Sequence, residues 1–365
     1  MLIIEEGDEV VLSQEFHAAH NVAVHFHDQM ASVIMEEGYE KFRDVSYDVP
    51  GDAPGIEEVG EGRMGVEEYM ATYGLRAELT ELLVSDIVQA LLTDFLHFIH
   101  ESLSCAKRGK ISVAYALLRK PFEDLLLLFE QILADKQDFI ERFHHQGDTV
   151  GYDPSFASLD KKAIVAAATA KLTLRDFFTD DLVWQIRYDK TAHAGIASYT
   201  HRAHHIVTRN KHYPTRPRDF NFVFDSVESL QDYWKNYYTI VPYVLMYAAS
   251  VVDAIVFDFM PAQERAKQVK DIRRFALYIF MKEAENAGKM VEVGEEMLGI
   301  VLNALTHTCK SCGHEIHFTK PDLVLFSKLT VMLCDKCFTD QFTDDDFYLQ
   351  FLVAWHALVP LPTPN

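Results

Sequence analysis

The chain has 365 residues, of which 49% are hydrophobic and 24% are charged. This composition is sufficient to bury a core, and it excludes a disordered tail, a collagen-like repeat and a small disulfide-stabilised protein. Asp and Glu outnumber Lys and Arg by 55 to 34, and the formal net charge of −21 opposes non-specific binding to nucleic acids or anionic lipids. A polyanion would therefore have to be bound by a local group of basic residues.

The hydrophobic pattern predicts an all-α protein. Helices are expected over residues 13–37, 77–108, 111–132, 159–172, 179–193, 225–260, 262–287, 294–306 and 343–358. Gly109 should end the second helix in the left-handed conformation, and Pro121 should kink the third because proline cannot donate a helical hydrogen bond. Residues 200–220 are expected to be irregular. Strands are expected at most around residues 207, 222–224 and 323–333.

The longest uncharged stretch, Asn236–Val252, lies within the helix predicted over 225–260. Asp225 and Glu228 have the spacing of a capping box at the start of that helix. The stretch is shorter than the roughly 20 apolar residues of a membrane span, and it contains Pro242. It therefore predicts a buried helix and no membrane partner.

The sequence predicts a cytoplasmic protein. Five cysteines are typical of a reducing compartment, and the N-terminus lacks the basic region and cleavage site of a signal peptide.

Three parts of the chain are also predicted. They are an N-terminal helix with a Gly- and Pro-rich loop over 1–75, a helical domain over 76–300, and a cysteine-containing region with a last helix over 301–365.

Four of the cysteines form two C-x2-C pairs separated by 21 residues. They are Cys309, Cys312, Cys334 and Cys337. Such pairs can bring four thiolates onto one tetrahedral Zn²⁺, and Gly313 with the β-rich segment between the pairs resembles a zinc ribbon. Because four protein ligands leave no position for water, the zinc is expected to be structural rather than catalytic. Cys105, alone on a helix, is expected to be a small buried hydrophobe.

A second motif has five residues between Arg187 and His193. On an unbroken helix this step separates the two side chains by about 120°, so they share a substrate only if the helix ends, the arginine turns or a second subunit completes the site. Asp189 and His193 would lie on one helical face, where the carboxylate could orient the imidazole. The same residues also fit a solvated helix face with a helix-terminal histidine.

The spacing of Arg187 and His193 resembles the R-x(4–6)-H motif of the HEPN superfamily, helical proteins that include metal-independent ribonucleases of toxin–antitoxin and phage-defence systems. Residues 117–128 also resemble the long helix that precedes this motif. The resemblance implies that the helical domain over 76–300 is a HEPN-like helical bundle, and that the protein is an endoribonuclease in a toxin or antiviral defence role. In such an enzyme His193 would be the general acid or base, Arg187 would stabilise phosphate charge and Asp189 would orient the histidine. It further implies a homodimer and an antitoxin-like protein partner.

One position favours a different function. Tyr188 follows the arginine, where active HEPN ribonucleases usually carry Asn, Asp or His. The alternative is a catalytically inactive HEPN-like, zinc-ribbon module that recognises a protein or nucleic-acid partner. Phosphate-binding glycine loops and the nucleophile elbow of hydrolases do not occur in the sequence.

Between residues 187 and 218 the acidic chain becomes basic, with seven Lys or Arg side chains and a single acid, Asp189. Six of the seven are predicted to contact RNA: Lys190, Arg202, Arg209, Lys211, Arg216 and Arg218. Histidines and a tyrosine lie among them, and this mixture of cations and rings suits the phosphates and bases of a short RNA segment. A basic loop that contacts the protein's own acidic surface is equally compatible.

Overall fold

The computed structural model describes residues 2–5, 7–47, 49–156, 159–175, 177–192 and 195–261, together with 267, 270–271, 274–275, 277–278, 281–282, 306–309, 311–317, 319, 322 and 331–341. Within these residues the protein is mostly helical with one two-stranded antiparallel sheet, which confirms the all-α class. The helices predicted over 262–287 and 294–306 lie largely outside the described residues, and the one over 343–358 lies wholly outside them.

The described elements are named here in chain order. The α-helices are α1 His17–Met35, α2 Glu40–Arg43, α3 Ile56–Gly60, α4 Val66–Thr72, α5 Arg76–Lys107, α6 Ile111–Arg119, α7 Leu126–Ala134, α8 Lys136–Ile140, α9 Lys161–Thr169, α10 Asp180–Tyr188, α11 Ile196–His204 and α12 Val227–Val256. Two π-helical turns, Lys120–Leu125 and Glu141–Gln146, follow α6 and α8. The strands are β1 Thr306–Thr308 and β2 Glu315–His317.

Helix α12 lies at the centre of the core, because its second half, residues 240–256, is almost entirely apolar and such a helical segment must be buried. Helices α1 and α7 pack against it. Polar groups also fix it to α5: the indole of Trp234 donates to the carbonyl of Ala106 at 2.9 Å, and the hydroxyls of Tyr237 and Ser102 share a hydrogen bond of 2.7 Å. The buried helix predicted from the uncharged stretch is confirmed.

Two described helical segments, Arg76–Lys107 and Val227–Phe259, are long and apolar enough to cross a membrane by length and composition alone. The apolar window of the second is entirely buried in the protein, and core helices pass the same test, so the evidence for a membrane span is weak. Helix α1 packs against both α5 and α12. The N-terminal part thus contributes to the same core, and the division at residue 75 stays a prediction.

The predicted kink at Pro121 takes the form of the first π-helical turn. Proline has no N–H for the carbonyl four residues earlier, and the backbone widens so that Leu126 N donates to Pro121 O instead. Gly109, with φ of +75°, follows the end of α5 in the left-handed conformation, as predicted. The start of α12 differs from the prediction: Ser226, not Asp225, is the N-cap, and its hydroxyl accepts from Ser229 N at 3.3 Å.

Two further predictions are wrong around residue 200. Helix α10 ends at Tyr188 instead of continuing to 193, and the second half of α11, residues 200–204, is helical where irregular structure was expected. The segments around 207 and 222–224 form turns rather than strands. Local hydrogen bonds made by Thr and Asn side chains there take the place of a sheet ladder.

Candidate functional site

The four cysteines of the two C-x2-C pairs converge, with all their Sγ atoms within 4.8 Å of one another. Cys309 Sγ lies 3.6 Å from Cys337 Sγ, and Cys312 Sγ lies 3.8 Å from Cys334 Sγ. These four thiol groups could hold a metal ion. In the described residues no other group of His, Cys, Asp and Glu converges in this way.

Short hairpins position the four sulfurs. The first pair lies in the turn between β1 and β2, where Cys309 N donates to His314 O at 2.8 Å and Gly313 adopts a φ of +70°. The second pair lies in the turn closed by a β-bridge between Leu333 and Asp340. Each C-x2-C pair thus lies in a turn, and the four sulfurs converge as the sequence predicted.

Neighbouring side chains complete the surroundings of the sulfurs. The amide of Gln341 donates to Cys309 Sγ at 3.4 Å, and the hydroxyl of Thr339 lies 3.3 Å from Cys337 Sγ. Donors of this kind stabilise thiolates and fix ligand orientation. His314 contacts the carboxylate of Asp335 at 3.1 Å, so its imidazole has a partner other than the sulfur cluster.

Arg187 is fully buried and has three partners. Its Nε donates to the carbonyl of Phe122 at 2.7 Å, Nη1 lies 2.5 Å from Glu130 Oε1, and Nη2 donates to the Tyr188 hydroxyl at 2.8 Å. Glu130 is fully buried as well and accepts from the Tyr247 hydroxyl at 2.7 Å. Burial acts to lower the pKa of Arg187, but the carboxylate of Glu130 holds it above its ordinary value. In this conformation the guanidinium offers no surface to a substrate.

Asp189 lies just beyond the end of α10, in extended backbone. Its carboxylate accepts from both the backbone N–H and the hydroxyl of Thr191, each at 2.7 Å, and these bonds lower its pKa. The expectation that Asp189 and His193 share a helical face is therefore wrong, because the helix has already ended. The separation of about 120° between Arg187 and His193 was calculated for an unbroken helix, so it does not apply to a helix that ends at Tyr188. His193 itself lies outside the described residues.

A polar cluster that the sequence analysis missed surrounds the π-helical turn Lys120–Leu125. Glu123 accepts from the Thr200 hydroxyl at 2.8 Å and lies 3.8 Å from Arg119, and its burial raises its pKa. Burial also raises the pKa of Asp124 and lowers that of Lys161. Pro121 was the sequence signal that could have revealed this cluster, because it lies in the π-helical turn and such turns recur at functional sites.

The basic segment is largely exposed. Five of the six residues predicted to contact RNA are exposed: Lys190, Arg209, Lys211, Arg216 and Arg218. None of the five forms an ion pair with an acid in the part of the chain that the structure describes. Arg202 differs, since it is half-buried with its guanidinium 5.3 Å from the Phe222 ring and 6.0 Å from the Tyr233 ring.

Hydrogen bonds fold the basic segment into a defined loop. Thr215 N donates to Thr208 O at 2.9 Å, and Thr208 N donates to the Thr215 hydroxyl at 2.8 Å. Asn221 joins the two ends, because its side chain accepts from the Thr215 hydroxyl at 2.7 Å and donates to the His205 carbonyl at 2.6 Å. Four of the five exposed cations, Arg209, Lys211, Arg216 and Arg218, are therefore carried on an ordered scaffold.

In comparisons with known proteins, no family model, curated protein or solved structure matches the chain.

Proposed function

We propose that the protein is a cytoplasmic, zinc-stabilised helical module of HEPN-like type that binds RNA and has no catalytic role for Arg187. The observation that carries the proposal is the contrast between its basic residues. Arg187 is buried and neutralised by Glu130, whereas five nearby cations are exposed and unpaired with any described acid. Exposed cations on an ordered loop supply the phosphate contacts on which RNA affinity depends.

Zinc is the metal that best suits the four cysteines. Tetrahedral Zn²⁺ with Zn–S bonds of about 2.3 Å requires sulfurs about 3.8 Å apart. The separations of 3.6 Å between Cys309 and Cys337 and 3.8 Å between Cys312 and Cys334 match this requirement. Four thiolates leave no open coordination position, so the metal would stabilise a small zinc ribbon and take no part in a reaction.

Exposed arginines of the loop should contribute a salt-dependent part of RNA affinity. We expect Arg216→Ala to weaken binding of a labelled single-stranded RNA and to reduce the slope of log affinity against log salt by about 0.7. Arg63→Ala is the control, because Arg63 is also exposed but lies outside the basic segment, beside Glu61. Fluorescence anisotropy measures both effects, and absence of RNA binding at about 50 mM salt would contradict the proposed function.

A metal-independent endoribonuclease is the second candidate. The observation that favours it is the polar cluster of Glu123 and Thr200. Thr200 lies in α11, and the segment of the chain between α10 and α11 contains His193. In this candidate His193 would transfer protons at the ribose 2′-OH. The homodimer and an antitoxin as protein partner belong to the same candidate.

Cleavage in EDTA distinguishes the two candidates. If the ribonuclease candidate holds, purified protein should cleave RNA in EDTA, leave 2′,3′-cyclic phosphate ends and spare DNA, and His193→Ala should be slower by about 10²-fold or more. The informative variant is His193→Ala, because Arg187→Ala also removes a buried ion-pair partner. Equal rates for parent and His193→Ala, or no cleavage by either, would eliminate this candidate and leave the binding module.

A further inference from the structure

The loop between α11 and α12, which carries most of the exposed cations, also carries a concentration of exposed apolar side chains. Of the sixteen large hydrophobic side chains that are exposed in the described residues, six lie between residues 206 and 227. They are Ile206, Val207, Phe220, Val223, Phe224 and Val227, with exposed fractions from 45% to 73%. Scattered exposed hydrophobics are ordinary on a protein surface, but a cluster of this kind marks a binding surface.

Five of these residues lie in two backbone segments that a hydrogen bond joins. Asn221 N donates to Ile206 O at 2.8 Å, which holds the backbone of residues 205–207 beside that of 220–221. The rings of Phe220 and Phe224 are stacked on each other, with centroids 5.8 Å apart and planes 26° from parallel. We name Ile206, Val207, Phe220, Val223 and Phe224 together the phenylalanine patch.

The residue between the two exposed rings explains how the patch is supported. Phe222 has a φ of +62°, a conformation uncommon for a bulky residue, and its ring packs against Tyr233 at 4.8 Å and Tyr115 at 6.3 Å. The core thus anchors this ring while the rings on either side of it in the sequence remain exposed. Backbone in such a conformation persists only where the surrounding structure enforces it, and it is concentrated at functional sites.

The chemistry around the patch selects the class of ligand. Arg209 lies two residues after Val207, and Arg216 and Arg218 lie shortly before Phe220, so one loop carries its cations between two groups of apolar side chains. Single-stranded nucleic acid presents both matching groups, with phosphates for the cations and unstacked base faces for the rings. A duplex hides its base faces and offers phosphates alone.

Charge distribution favours a narrow strand over a broad anionic surface. The chain carries a net charge of −21, so a flat anionic bilayer would face repelling charge around the loop. A single strand of nucleic acid that follows the loop stays within one Debye length, about 8–10 Å, of the loop's cations. Salt screens such a strand from the acidic charge on the rest of the protein.

We propose that the phenylalanine patch binds unpaired bases of single-stranded RNA, with Phe220 and Phe224 as stacking faces and the neighbouring arginines as phosphate contacts. This inference rests on the proposed RNA-binding function and specifies its substrate class. Ile206, Val207 and Val223 form the apolar surroundings in which a stacked base is shielded from water.

The test compares two labelled RNAs, an oligouridylate of about 12 nucleotides and a duplex of the same length, by fluorescence anisotropy with the full chain. Phe224→Ala and Phe220→Ala should each weaken oligouridylate binding at least about fivefold and leave duplex binding unchanged. Arg216→Ala should weaken both. Phe156→Ala is the matched control, since Phe156 is 41% exposed outside the loop, and it should change neither. Unchanged melting temperatures will show that the variants fold.

The outcomes separate the inference from the function on which it rests. Oligouridylate binding that survives both phenylalanine substitutions, or equal losses for oligouridylate and duplex, overturns the inference while RNA binding stands. Absence of binding to either RNA overturns both. Binding to vesicles of phosphatidylcholine and phosphatidylserine that is lost in Phe224→Ala, with RNA binding unaffected, would make the patch a membrane surface and likewise overturn the inference.

Discussion

Arg187→Ala is expected to lower the free energy of unfolding by about 3–5 kcal/mol, because it leaves the carboxylate of Glu130 buried without its counter-charge. Both side chains are fully buried, and the second oxygen of Glu130 has no hydrogen-bond partner among the described residues. In urea denaturation, the loss should appear as a lower midpoint concentration with an unchanged m-value. This combination identifies a change in stability, since a change in the surface exposed on unfolding would alter the m-value.

Two variants make this result specific. The double variant Arg187→Met with Glu130→Leu removes both charges and should recover much of the lost stability, since well-packed apolar residues often replace a buried ion pair without cost. Lys162→Ala breaks an exposed ion pair with Asp181 between α9 and α10 and should leave the free energy of unfolding nearly unchanged, because solvent screens such pairs. If Arg187→Ala is as stable as the parent, the arginine is not held in the core and is available to a substrate after all.

Removal of the metal should unfold the cysteine-containing region. Zinc binding to such sites is coupled to folding, with apparent binding free energies of about 10–16 kcal/mol. Protein purified without chelator is expected to contain about one zinc per chain, and Cys334→Ala is expected to lose it. Amides whose hydrogen bonds close the two turns, those of Cys309, Gly313 and Gln341, should then exchange rapidly with deuterium.

A cysteine outside the cluster serves as the control for this experiment. Cys105 is buried in α5, as the sequence predicted for a small hydrophobe, and Cys105→Ala should retain the full zinc content. Elemental analysis measures the metal in both variants. A metal-free parent protein, or a Cys334→Ala variant that still carries one zinc per chain, would contradict the proposed site.

The features predicted correctly from sequence are those set by short-range patterns. The buried α12 follows from its apolar composition, and the convergence of the cysteines follows from two C-x2-C spacings, each of which turns the chain within four residues. The all-α class follows from helical periodicity that runs through most of the described chain.

The environment of Arg187 could not be predicted in the same way, because its partner Glu130 is 57 residues away in the sequence. One signal was present: Glu130 is the single charge in the apolar run 125–133, and a lone charge on a buried helix needs a buried partner. The early end of α10 depends on the turn that Asp189 makes with Thr191, which helical periodicity does not register. Helix α11 was missed because its apolar face is narrow and its remaining residues are polar.

The π-helical turn Lys120–Leu125 changes the phase of the helix that contains it. A π-helical turn accommodates one residue more than an α-helical turn, which rotates everything beyond it by about 100°. The two halves of the apolar run from 111 to 132 therefore have different main neighbours: α6 packs mostly against α5 and α11, and α7 mostly against α9 and α12. They still share one core, because Phe129 of α7 contacts Phe95 of α5 and Tyr115 of α6 contacts Tyr237 of α12. Insertion or deletion of one residue within this run would change which side chains face that core.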